Sequence, residues 1–129
     1  MDRPSMRISA TVLGSRDPRG LAAFYARLLG WTTVEEQAGW VRLRHPSGDL
    51  IPAGLSFADE PEHVAPTWPT VAGQQQMMSH LDIAVEDLEA GVAWALVAGA
   101  TLADFQPQVD VRVLLDPDGH PFCLFRGEV

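Results

Sequence analysis

The feature that most constrains this chain is that it repeats itself. Asp17-Pro18 opens an apolar helical segment that Gly30 closes, and Glu86-Asp87 opens a second, Leu88 to Ala98, that Gly99 closes. Downstream, Pro46-Ser47-Gly48 in the first half corresponds to Pro117-Asp118-Gly119 in the second, each set between two strand-like runs. The spacing predicts an α+β fold of two tandem β-α-β-β-β modules, over about residues 7–58 and 78–127, joined by a linker over about 59–77. One helix over a small sheet cannot cover both sheet faces. Pairing two such modules, with their mixed sheets curled, would enclose a cleft, and a cleft is where ligands sit.

Local signals fill in the modules. Arg7 to Leu13 reads as the first strand, turned by Gly14-Ser15-Arg16. Asp17 is a good helix cap because its carboxylate accepts orphan N–H groups, and Pro18 in the first turn loses no bond. Leu21, Phe24, Tyr25, Leu28 and Leu29 then fall on one helical face. Thr32 to Glu36, Trp40 to Arg44 and Ala53 to Ala58 read as strands. The stretch from Asp59 to Gln76 holds Pro61, Pro66 and Pro69 and shows no apolar period, so it reads as a linker ordered in part by Trp68. Further strands are expected at Thr101 to Asp104, Val109 to Leu115 and Phe122 to Arg126.

The stretch Ser79 to Asp87 carries the most chemistry. Leu81, Ile83 and Val85 alternate with His80, Asp82 and Ala84, the period of a half-buried strand. His80 and Asp82 thus share one face about 7 Å apart along the strand. His80 reads either as a satisfied polar residue at a strand start or as a pocket-facing acid–base group, its ordinary pKa lying near neutrality. Asp82 either meets solvent or an arginine such as Arg112, or pairs with His80 and receives a substrate proton or amine. Cys123, between Phe122 and Leu124, reads as a small buried hydrophobe or as a thiol turned to the cavity. Trp40, Arg42 and Arg44 alternate on their strand and either line the cleft, Trp40 stacking a ring and Arg42 holding an anion, or form an exposed edge face. His45 and His120 flank the turns, where exposure is expected, and His63 falls in the linker.

Charge excludes several partners. The net charge is -8, and the nine basic residues are all Arg, scattered without a run. Nucleic acid and anionic membrane surfaces both need a basic face, so neither is expected as a partner. No apolar run approaches the length of a membrane span, and Met1-Asp2-Arg3-Pro4 opens no signal peptide. A lone cysteine allows no intrachain disulfide, which points to a reducing, cytoplasmic setting.

Asp17 with Phe24-Tyr25 and Leu28-Leu29-Gly30-Trp31, His80 to Val85, and Asp116-Pro117-Asp118-Gly119-His120-Pro121-Phe122 together resemble the vicinal-oxygen-chelate superfamily, the glyoxalase, bleomycin-resistance and extradiol-dioxygenase group. The resemblance spans nearly the whole chain and is weakest in the linker. It implies a homodimer and a divalent ion held by side chains from four strands. Carried over residue by residue, those positions are Ala10, about Ser56, His80 and Cys123. His80 is a full match and Cys123 a possible thiolate, whereas Ala10 offers no donor and Ser56 a poor one. Asp82 adds a carboxylate from the same face as His80.

Two functions follow, beside the plainer alternative of an interaction domain whose cleft is filled by its own side chains. The first is a protein that binds or sequesters a small organic metabolite or drug in the cleft, using Trp40, Arg42, Ser56, His80 and Cys123, with no cofactor. The second is a lyase or isomerase in which His80 and Asp82 transfer protons, with or without a weakly held divalent metal at His80 and Cys123.

Overall fold

The computed structural model describes residues 1–48 and 53–129. The chain divides into two compact units, Met1–Pro61 and Glu62–Val129. Each contains one four-stranded mixed sheet that does not close on itself, and one helix.

The first unit runs β1 (Ala10–Ser15), α1 (Pro18–Leu29), β2 (Thr32–Gln37), β3 (Trp40–Arg44) and β4 (Gly54–Asp59). Its strand order is β1-β4-β3-β2, with β1 and β4 parallel and the other pairs antiparallel. Helix α1 begins where expected: the Asp17 carboxylate accepts the Gly20 N–H at 3.1 Å, and Gly30 closes the helix at φ 69°, a conformation that disfavours a side chain. Its buried face is Leu21, Ala22, Phe24 and Tyr25, packed against β3 and β4. Tyr25 stacks on Phe57 at 5.7 Å and meets Phe24 edge-on at 4.8 Å, so this core is built from aromatic rings. Val41, Leu43 and Leu55 complete it.

The second unit runs β5 (Leu81–Val85), α2 (Leu88–Ala98), β6 (Thr101–Leu102), β7 (Val111–Leu115) and β8 (Pro121–Arg126). Its order, β5-β8-β7-β6, repeats the first, again with the outer pair β5 and β8 parallel. Asp87 caps α2 by accepting the Ala90 N–H at 3.1 Å. Helix α2 turns small residues inward: Ala95 and Ala98 are buried, and a Cβ at Gly91 would come within 2.9 Å of Val85. The bulk in this core comes from the sheet, through Val113, Leu114, Phe122 and Leu124.

Several strand boundaries differ from those the sequence predicts, among them the start of β5, which is Leu81 and leaves His80 just outside the strand. Strand β1 lies at Ala10–Ser15, so Gly14 and Ser15 extend it instead of turning it. Its partner decides this, because β4 pairs residue for residue from Ala10↔Gly54 to Ser15↔Asp59. Strand β6 stops after Leu102, and β7 starts only at Val111. The cause is Gln106, whose side-chain amide takes the place of a strand. Its Nε2 donates to the carbonyls of Ala103 and Val113, both at 2.8 Å, and its Oε1 accepts the Val113 N–H at 2.8 Å. A primary amide presents the same donor and acceptor pair as a peptide group, so the ladder is satisfied and the backbone is free to leave. Pro107, which lacks an N–H, follows in the departing segment. Arg112 secures the way back, its Nη1 donating to the carbonyls of Val109 at 2.9 Å and Val111 at 2.8 Å.

Candidate functional site

A pocket of about 390 Å³ lies against β7 and β8 in the second unit, and the 103–110 segment contributes Pro107 and Gln108 to its lining. Its walls are Trp68, Pro107, Gln108, Val111, Val113 and Phe125, and its polar end is His80, Asp82 and Cys123. Trp68 comes from the segment preceding β5. It is anchored by donating its indole N–H to the Phe105 carbonyl at 3.2 Å, with the two rings 6.0 Å apart. That segment also ties itself together, Thr67 N–H to the Gln75 carbonyl at 2.9 Å and Thr67 hydroxyl to the Gln74 amide oxygen at 3.0 Å.

Strand register places the polar end. Asp82 and Cys123 are cross-strand partners in the parallel pair β5 and β8, and His80 stands one residue before β5, two before Asp82. His80 Nδ1 lies 2.9 Å from Asp82 Oδ1. One donor atom from each of His80, Asp82 and Cys123 falls within 4.8 Å of the others. Both His80 and Asp82 keep contact with solvent, their side chains being 37% and 59% exposed, while Cys123 is half-buried. Burial pushes the Cys123 thiol up from its ordinary pKa, and the negative charge and hydrogen bond of Asp82 push it further in the same direction. The thiol is therefore held protonated, not activated as a nucleophile.

Asp82 both meets solvent and pairs with His80, whereas Arg112 is engaged with backbone carbonyls. The other sequence-selected residues, Trp40, Arg42 and Ser56, lie in the first unit. Trp40 and Arg42 are half-buried on β3, whose alternate residues Val41 and Leu43 enter the core, and β3 lies inside the sheet, not at its edge. Arg42 donates to Glu35 at 3.0 Å. Ser56 is 2% exposed and is the register partner of Arg42 on one side and Val12 on the other. Ala10 pairs with Gly54 and offers only a methyl group.

His120 is not exposed as expected. Its side chain is 17% exposed, with Nδ1 at 2.8 Å from the fully buried Asp116 carboxylate, and its ring stacks on His63 at 4.7 Å. Asp116 also accepts the N–H groups of Asp118 and His120, at 2.9 and 3.0 Å, so it organises the whole turn. His63 donates from Nε2 to the Asp118 carbonyl at 2.9 Å. His45 is half-buried beside Trp31, ring centroids 6.2 Å apart. The wall residues Trp68, Pro107 and Gln108 were not foreseen as site residues. The only sequence signal was the density of Pro, Gln and aromatic residues in two non-periodic stretches.

Among the described residues no helix is long and apolar enough to cross a membrane. None of the curated proteins matches the chain. Solved structures do match it in fold. The fosfomycin resistance protein FosX from Listeria monocytogenes, in a complex with Mn(II) and a dihydroxypropylphosphonic acid, has a TM-score of 0.69 at 13% identity, covering 98% of this chain and 94% of that one. An antibiotic binding protein from a Streptomyces species has a TM-score of 0.62 at 17% identity, covering 96% and 98%. A bleomycin-binding protein complexed with bleomycin has a TM-score of 0.58 at 23% identity, covering 96% and 100%. A family model described as a glyoxalase-like domain matches residues 10–125, nearly the whole chain. The duplicated β-α-β-β-β units, the four-stranded mixed sheets and this match agree, and the chain belongs to the glyoxalase-like domain family of the vicinal-oxygen-chelate superfamily.

Proposed function

We propose that this protein binds a small organic molecule in the pocket of its second unit. One observation carries the reading: a mainly apolar recess of about 390 Å³ has His80, Asp82 and Cys123 gathered within 4.8 Å of one another on its lining. That volume lies in the range of small-molecule sites, and such sites pair an apolar lining with a few placed polar groups. The apolar body of the ligand lies against Trp68, Val111, Val113 and Phe125, and a hydrogen-bond donor or amine reaches Asp82. Structural neighbours that bind bleomycin and another antibiotic support the reading at the level of the fold.

The test is a thermal-shift screen of aromatic and heteroaromatic amines, followed by calorimetry on hits. Trp68→Ala and Asp82→Ala should each weaken a true pocket ligand about tenfold or more, the loss of one good contact. If every hit binds both variants as tightly as it binds the unaltered protein, the pocket is not the site.

The 2.9 Å contact between His80 and Asp82 favours a second reading, a lyase or isomerase of this superfamily. A carboxylate that orients an imidazole suits it to take and return a proton, provided the substrate proton comes within hydrogen-bond reach. Turnover of a bound ligand, abolished in His80→Ala, would establish that role. Binding without turnover leaves sequestration.

A further inference from the structure

The metal site implied by the wider superfamily does not fit this chain. An oxygen-rich, octahedral shell suits manganese or magnesium, but the four corresponding positions hold a methyl group, a hydroxyl, an imidazole and a thiol, at Ala10, Ser56, His80 and Cys123. Two of those four positions, joined by Asp82, form a donor set of another kind. His80, Asp82 and Cys123 offer one nitrogen, one oxygen and one sulfur, all within 4.8 Å of one another. Among the described residues no other group of three His, Cys, Asp or Glu side chains meets that spacing. All three belong to the second unit, and the ladder between β5 and β8 fixes two of them side by side.

The spacing suits a tetrahedral ion. Zinc bonds of about 2.0–2.3 Å separate neighbouring donors by roughly 3.4–3.6 Å. The His80–Asp82 contact, now 2.9 Å, would open by about half an ångström, and the longest separation would close by about 1.3 Å. Exposed and half-exposed side chains have rotamer freedom for such movements. Sulfur and imidazole donors favour zinc or cobalt over manganese and magnesium. We propose that His80, Asp82 and Cys123 form a three-donor site for a thiophilic divalent cation, with a fourth position left for water or a ligand atom. Loading exchanges the Cys123 S–H proton for a metal–sulfur bond, the proton passing to water, and replaces the 2.9 Å contact between His80 and Asp82. The inference goes beyond the ligand reading and does not depend on it, because the apolar walls take no part.

The test uses the full chain without a polyhistidine tag, stripped with chelator and titrated with Co(II), Zn(II) and Mn(II) in the absence of any organic ligand. One Co(II) per chain is expected, with a thiolate-to-cobalt charge-transfer band, displaced by Zn(II) and not by Mn(II). Cys123→Ser should abolish the band, and Asp82→Asn should keep it while weakening affinity about tenfold or more. Zn(II) should also block alkylation of Cys123 in the unaltered protein, a readout that needs no variant to fold. Absence of binding, a band that survives Cys123→Ser, alkylation unaffected by Zn(II), or Mn(II) bound as tightly as Zn(II) would each overturn the proposal. Binding of organic ligands by metal-free protein is scored separately, so either reading can fail alone.

Discussion

The two units are built to one plan and differ most plainly in the length of one strand. In each sheet the position five residues before the helix cap pairs with the last strand, which pairs with the third. In the first unit that row reads Val12, Ser56, Arg42 and then Glu35 on a complete fourth strand. In the second it reads Asp82, Cys123, Val113, and there the row ends, because β6 has only two residues. Where the fourth strand continues, Arg42 lies beside Glu35 and their charges meet. Where it stops, Gln106 satisfies the ladder, the backbone departs, and an apolar pocket with a polar end remains. A shared strand order thus sets which side chains stand in a row, and what stands beside the row differs: a fourth strand carrying Glu35 in the first unit, and in the second the 103–110 segment, whose Pro107 and Gln108 line the pocket.

Several measurements would break or sharpen this comparison. The largest effect is expected in the cores. Phe57→Ala and Phe122→Ala, both at residues with no exposure, should each cost about 3–5 kcal/mol. Chemical denaturation followed by circular dichroism will tell whether they shift one transition or two. A single shared transition means the units unfold together; separate transitions mean each core sustains its own sheet. Next, Gln106→Ala removes three hydrogen bonds of 2.8 Å and leaves the Val113 N–H without its partner, while the Val113 carbonyl keeps the Ala103 N–H at 3.1 Å, a loss of about 1–3 kcal/mol. It should also abolish ligand binding in the pocket. If stability falls by less than about 0.5 kcal/mol, the amide is not what ends the fourth strand.

Removing the helix caps should cost less and about equally in the two units. Asp17→Ala and Asp87→Ala each free one first-turn N–H, for about 1 kcal/mol apiece, measured by the same denaturation. Unequal losses would mean that the repeated sequence signal has unequal structural weight. The smallest effect belongs to Arg42→Ala in the first unit, under about 1 kcal/mol, because its partner Glu35 is partly solvated. A separate comparison concerns Cys123. In the unaltered protein its alkylation by iodoacetamide should rise only at a pH above that of an ordinary thiol. In Asp82→Asn the rise should move to lower pH, yet not all the way, since burial is the larger cause and persists. A profile that does not move would remove Asp82 as an electrostatic neighbour.

Local chemistry was legible in the sequence and non-local chemistry was not. Both helices start at their capping aspartates, and Trp40–Arg44 forms the strand its alternation predicts, because caps and periodicity are short-range signals. The pairing of His80 with Asp82 was also within reach, since the two residues are separated by one position on a strand end. The sequence predicts a start for β1 three residues before the observed Ala10, because the ends of this strand depend on β4, more than forty residues away. His120 was read as exposed because turns usually are. Its burial comes from Asp116 and from His63, which is 57 positions earlier in the chain and stacks on its ring. Trp68, Pro107 and Gln108 reach the pocket from non-periodic segments, for which sequence offers composition but no direction.

Gln106 has one further consequence, for the behaviour of the protein in a crowded solution. A strand whose neighbour ends early leaves bare N–H and C=O groups, and such a border invites a strand from another molecule to add to the sheet. Here the side-chain amide already occupies both groups of Val113, and Pro107 stands in the segment that follows. The same residue that ends the ladder therefore also shields this border of the sheet, at Val113, from an unwanted neighbouring strand.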